Sequence, residues 1–129
     1  MSHQISKLSF GRIAATLAVT DMDRAFAFYR DVLGFEVVFQ NGDPVGFAIL
    51  KKDAAELHIT LVKDHRPASF NVAHMLVGDA DGLYACIEAA GCRILKGLKT
   101  QEYGLKTFVF ADPFGNRIDV GAPLRTDGT

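Results

Sequence analysis

Two periods of apolar residues alternate along this chain. Arg12–Val19, RIAATLAV, is small and apolar and reads as a buried strand. From Met22 to Leu33 the apolar residues Met22, Ala25, Phe26, Tyr29, Val32 and Leu33 recur at intervals of three and four, which predicts one helical face. Phe28 falls off that stripe. Thr20 or Asp21 supplies a side-chain oxygen for the first free N–H groups, and Gly34 suits the left-handed residue that ends a helix. Phe35–Phe39 and Val45–Leu50 read as strands around an NGDP turn at 41–44. Glu56–Val62, ELHITLV, alternates strictly: Glu56, His58 and Thr60 share one face, and Leu57, Ile59 and Leu61 the other. A polar, Pro-containing linker follows at 63–71.

The order then repeats. Val72–Gly78 is strand-like. Asp79 or Asp81 caps a helix carrying Leu83, Ile87 and Ala90 on its stripe with Tyr84 and Cys86 beside it, and Gly91 ends it. Strands at Cys92–Leu95, Lys106–Ala111 and Arg117–Gly121 follow, separated by a loop at 96–104 and a DPFGN turn at 112–116. Residues 1–10 and the tail from Pro123 are expected to be loose. Val19–Phe35 and Val77–Cys92 both open V-x-D-x-D and close on glycine, so one βαβββ module is written twice. The expectation is a single α+β domain over 1–129, with module one at about 10–64 and module two at about 70–122. Each sheet has one face under a helix, and the two free faces form curved mixed sheets around a concave cleft, the default ligand site.

Composition narrows this picture. At 129 residues with 49% apolar content the chain can fill one core. A net charge of −1 without a basic run gives no nucleic-acid footprint, and no apolar run is long enough to span a bilayer. The N-terminus lacks the charged lead, apolar block and cleavage site of a signal peptide, so a cytoplasmic protein is expected. Cys86 and Cys92 are too few for a disulfide framework and read as reduced, small core residues.

VTDMDRAFAFYRDVLGF at 19–35, ELH at 56–58, VGDADGLY at 77–84, AAG at 89–91 and DPFGNRID at 112–119 together resemble the vicinal oxygen chelate superfamily of glyoxalases, bleomycin-resistance proteins and extradiol dioxygenases. The resemblance covers roughly residues 10–122. It implies paired βαβββ modules and a homodimer whose concave sheets enclose the cavity, but not which reaction, if any, takes place there.

Metal-dependent members of that superfamily place one ligand on the first and one on the last strand of each module. The first-strand ligand lies five residues before the valine of V-x-D. By that resemblance the four positions here are Ala14, Glu56, Val72 and Asp119, and two of them have no donor atom. His58 shares a face with Glu56, and His74 shares one with Val72, so a displaced Glu56/His58/His74/Asp119 set offers imidazole and carboxylate donors suited to zinc or nickel. Phe47, Tyr103, Phe108 and Phe110 are candidate aromatic walls. The expected function is that of the metal-free bleomycin-resistance branch: sequestering a cationic or aromatic small molecule, such as a glycopeptide antibiotic, through Phe47, Glu56, His58, His74, Tyr103, Phe108, Phe110 and Asp119. The alternative is a metal-dependent lyase, isomerase or dioxygenase with Glu56 as general base and His74 and Asp119 assisting. For Asp119 a cross-strand Arg117 or Lys106 is a further possible partner. His3 and His65 sit in polar stretches and carry no assignment.

Overall fold

In the computed structural model, residues 5–124 are described; His3, the start of the N-terminal lead and the end of the C-terminal tail lie outside them. The first module runs β1 (Ala15–Val19), α1 (Met22–Phe26, continued by a π-helical segment Ala27–Val32), β2 (Glu36–Asn41), β3 (Phe47–Lys52) and β4 (Ala55–Leu61). The second repeats it as β5 (Asn71–Leu76), α2 (Ala80–Ala89), β6 (Ile94–Thr100), β7 (Leu105–Ala111) and β8 (Arg117–Pro123). Each module makes a curved four-stranded mixed sheet, in the orders β1-β4-β3-β2 and β5-β8-β7-β6. In each the first strand lies parallel to the last, and the other pairs are antiparallel. A parallel pair needs a long crossover; here it is the helix plus the following hairpin.

The helix starts are set by aspartates. Asp21 Oδ1 accepts from the Arg24 N–H at 3.1 Å, and Asp79 Oδ1 from the Gly82 N–H at 2.9 Å. Of the paired alternatives the sequence left open, Asp21 and Asp79 are therefore the caps. Asp81 instead pairs with Lys106 Nζ at 2.8 Å.

The π-helical segment changes which side chains of α1 reach the core. Leu33 N–H donates to the Phe28 carbonyl, five residues back, at 3.0 Å. The extra residue per turn lets consecutive Phe28 and Tyr29 both point inward, 4% and 2% exposed, while Val32 is 45% exposed. A strict 3.6 period put Phe28 off the stripe and Val32 on it; the wider turn reverses both.

One continuous core takes residues from both sheets and both helices, including Leu17, Leu50, Ile59, Ile87, Phe108 and Val120. ELHITLV alternates as expected, with Leu57 and Ile59 buried and Glu56, His58 and Thr60 partly exposed. The two halves are tied by polar bonds through the DPFGN turn. Tyr29 Oη donates to Asp112 Oδ2 at 2.6 Å, and Asn116 Nδ2 donates to the Ala18 carbonyl at 2.8 Å.

Several expectations shift. Phe108 and Phe110 are 1% and 0% exposed and pair across β7–β8 with buried Val120 and Ile118. They lie on the core face, against Tyr84 and Phe28, and form no wall of the cleft. Cys86 is exposed and only Cys92 packs on the core. Leu83 is half-buried and Ala90 exposed, so Ile87 and Ala80 carry the α2 contact. β6 continues to Thr100, shrinking the loop at 96–104, and Pro123 belongs to β8.

Candidate functional site

The free face of the first sheet carries Phe47, Ile49 and Lys51 on β3 opposite Thr60, His58 and Glu56 on β4. Glu56 is the centre of a charged cluster. Its Oε1 accepts from Arg12 Nε at 2.7 Å and lies 2.6 Å from the second guanidinium nitrogen, with Lys51 Nζ at 3.7 Å. Its Oε2 is 2.8 Å from His58 Nε2, a contact that requires the proton on that nitrogen. Stabilised as the anion first by His58 and then by Arg12, the Glu56 carboxyl is held down to about 2. The His58 ring meets Phe47 edge-on at 5.7 Å between centroids, and Phe47 meets Phe39 at 6.4 Å. These rings form an aromatic row beside the ionic cluster.

The second sheet supplies a simpler pair. His74 and Asp119 face each other across parallel β5 and β8 and bond through Nδ1 and Oδ2 at 2.6 Å. Asp119 is thus partnered by His74; Lys106 is engaged by Asp81, on the other side of β7. Gly121 packs beside the imidazole: a Cβ there would sit 3.4 Å from His74 Cε1, at van der Waals contact.

A cleft of about 580 Å³ joins the two sheets, and Arg12, Ala14, Glu56, Val72, His74 and Met75 are among its lining residues. Four of the sequence-derived positions therefore meet in one concavity: Ala14, Glu56, Val72 and His74. Asp119 touches it through His74. Phe47 and His58 lie further along the first sheet's free face, connected to the cleft by Glu56. Tyr103 is 71% exposed in the β6–β7 turn and lines none of these walls. Arg12 and Lys51 are absent from the candidate set drawn from the sequence. The signal for Arg12 was its position at the head of RIAATLAV, beside a strand that presents a carboxylate.

The donor set does not fit a divalent metal. Ala14 and Val72 present only a methyl and an isopropyl group to the cleft. The Glu56 oxygens are engaged by a guanidinium and an imidazole, and Asp119 by His74. Among the described residues no three His, Cys, Asp or Glu side chains come together in a group able to hold a metal ion. Metal–ligand distances tolerate only about tenths of an ångström, and the two acid–imidazole pairs are not brought together into such a group.

A profile of the Glyoxalase/Bleomycin resistance protein/Dioxygenase superfamily matches residues 9–120. The chain belongs to this superfamily. Among solved structures it is similar to a bleomycin resistance determinant encoded on the transposon Tn5, with a TM-score of 0.73 at 22% identity over 88% of this chain and 98% of that one. It is similar to a bleomycin-binding protein complexed with bleomycin, with a TM-score of 0.70 at 24% identity over 88% and 98%. It is also similar to lactoylglutathione lyase from Agrobacterium tumefaciens, with a TM-score of 0.66 at 23% identity over 87% and 92%. At these identities superfamily neighbours share the fold. No curated protein sequence matches the chain. No helix among the described residues is long and apolar enough to cross a membrane.

Proposed function

We propose that this superfamily member is a small-molecule binding protein that holds an aromatic or cationic ligand in the cleft between its sheets and against the adjoining Phe39–Phe47–His58 row, without a metal, in the manner of the bleomycin-resistance proteins. The observation that carries this reading is the internal pairing of the cleft's donors. Glu56 is engaged by Arg12 and His58, His74 by Asp119, and the two remaining ligand positions are Ala14 and Val72. Binding without chemistry needs none of these groups to be free. One structural neighbour is named for binding bleomycin and another for resistance to it, which supports a small-molecule ligand.

The charge balance refines the ligand. A ligand cation must compete with Arg12 and Lys51 for Glu56, so flat apolar contact with the Phe39–Phe47–His58 row contributes more than ion pairing. The second copy expected in a homodimer would close the open side of this face. The strongly exposed Leu8, Phe10 and Ile13 in the segment before β1 support that assembly. A metal-dependent lyase, isomerase or dioxygenase would need ligands that this cleft does not offer.

Calorimetric titration with bleomycin as the probe tests the reading. Micromolar or tighter binding is expected, weakened about tenfold or more by Phe47→Ala and His58→Ala. Unchanged affinity in both variants, or no binding by the unaltered protein, would overturn it.

A further inference from the structure

On the free face of the second sheet, at the end where β5 and β8 begin, three cations line one pocket. Arg93, Lys96 and Arg117 line a cavity of about 460 Å³ together with Phe70, Asn71 and Val109. No Asp or Glu lines it, and it shares no lining residue with the cleft between the sheets. Among the described residues none of the three cationic side chains has an ion pair or a hydrogen bond, although Lys106 and Arg12 elsewhere in the chain both do. In a chain of net charge −1, three unpaired cations around one concavity repel one another and focus a positive field into it.

The backbone is arranged to produce this convergence. In β6, Ile94 pairs with Phe110 but Lys96 pairs with Val109, so two residues of β6 oppose one of β7. Without that extra residue Lys96 would share the parity of Ile94, whose partner Phe110 is fully buried. The bulge turns the lysine onto the free face instead. A second bulge lies across the pocket in β5, where Asn71 pairs with Arg117 and Ala73 with Ile118, and it brings the Asn71 amide beside Arg117. Two bulges at one end of one sheet thus place a lysine and an amide next to two arginines. Phe70, 65% exposed, also lines the pocket. The nearest acid on this face by register is Asp119, opposite Val109, and it is engaged by His74 Nδ1.

We infer that this pocket binds a small organic oxyanion, a phosphate or carboxylate carried on a flat apolar ring. The two guanidinium groups present planar donor pairs matched to an oxyanion, Lys96 adds a point charge and Asn71 an N–H donor. Phe70 and Val109 meet the ring. The pocket adjoins the cleft but shares no lining residue with it, so shifts at residues 69–71, 93–96 and 117 read it separately.

Titration at low salt with phenyl phosphate, benzoate, inorganic phosphate and benzyl alcohol, followed by amide chemical shifts, tests it. Phenyl phosphate or benzoate binds with a Kd below about 1 mM, and whichever binds tighter identifies the anionic group. Shifts concentrate at residues 69–71, 93–96 and 117. Inorganic phosphate binds at least about tenfold more weakly, benzyl alcohol does not bind, and added salt weakens the complex. Arg117→Gln with Lys96→Gln lowers affinity about tenfold or more. Phe70→Ala, at an exposed position that leaves folding intact, weakens phenyl phosphate several-fold and leaves inorganic phosphate unchanged. Equal binding of benzyl alcohol, shifts elsewhere, wild-type affinity in the folded double variant, or no binding of either aromatic anion at about 10 mM would overturn the site.

Discussion

Replacing Tyr29 with Phe isolates the bond that ties the first helix to the second module. The phenol donates to Asp112 Oδ2 at 2.6 Å, with Tyr29 2% and Asp112 4% exposed. Asp112 also accepts from the backbone N–H groups of Phe114 and Asn116 at 2.9 and 2.8 Å, and from Asn116 Nδ2 at 3.0 Å. Tyr29→Phe keeps the ring and its edge-to-face contacts with Phe28 and Phe35. It removes one of the two donors to a buried carboxylate oxygen. A hydrogen bond to a charged acceptor is worth about 1.5–3 kcal/mol, and little cavity forms, so a loss of about 2 kcal/mol is expected. For a domain of this size that corresponds to a fall in Tm of roughly 6–10 °C. Urea unfolding followed by circular dichroism gives the loss directly, with the denaturant slope unchanged. Tyr103→Phe, at an exposed turn, is the control and should lie within about 0.5 kcal/mol of the parent. A Tyr29→Phe loss no larger than that control would refute the tie between modules.

Further outcomes can be measured on the same preparation. The Glu56 carboxyl, depressed from 4.5 to about 2, stabilises the fold fully above pH 4.5, and that contribution is lost as pH falls through about 2. Tm measured from pH 5 to 2 should therefore fall more steeply in the parent than in Glu56→Gln, and parallel curves would disprove the pairing. Burial, then the charge and hydrogen bond of Asp112, push the Tyr29 phenol well above its ordinary value. An alkaline absorbance titration should thus leave one of the three tyrosines un-ionised until the protein unfolds; complete ionisation of folded protein would contradict that burial. Phe108→Ala should cost about 3–5 kcal/mol of stability, whereas Phe47→Ala should cost mainly ligand affinity; the reverse pattern would put Phe108 back in the cleft. Asp21→Ala should lose about 0.5–2 kcal/mol and Thr20→Ala less, and a larger loss at Thr20 would reassign the cap.

The module order, the glycine stops at Gly34 and Gly91 and the faces of ELHITLV were legible because each rests on local periodicity or local backbone demand. Gly34 and Gly91 do take φ of +85° and +77°. Three features were not legible, each because it depends on something a fixed period does not carry. The π-helical segment of α1 widens the turn, so Phe28 went unassigned and Val32 was placed inside. The side of the sheet taken by Phe108 and Phe110 depends on the register that the DPFGN turn imposes between β7 and β8. That turn pairs Ala111 with Arg117, so Val109 faces with Asp119 and both phenylalanines face the core. Lys96 sits where it does because of a bulge, which flips parity without any composition signal. At the site, Glu56, His58, His74 and Asp119 were named from the sequence, but Arg12, Lys51 and the His74–Asp119 pairing were not. Arg12 lies 44 residues from Glu56, and the His74–Asp119 contact spans 45; only the parallel pairing of first and last strands brings such residues together.

On the proposed reading the cleft binds its ligand with its acids and imidazoles paired to one another rather than to a metal. The most direct measurement combines elemental analysis of protein purified without chelator with a bleomycin titration of the same sample before and after dialysis against EDTA. Less than stoichiometric transition metal and an unchanged binding isotherm are expected. One equivalent of metal that is lost in Glu56→Ala or His74→Ala, with ligand binding that disappears on chelation, would contradict it.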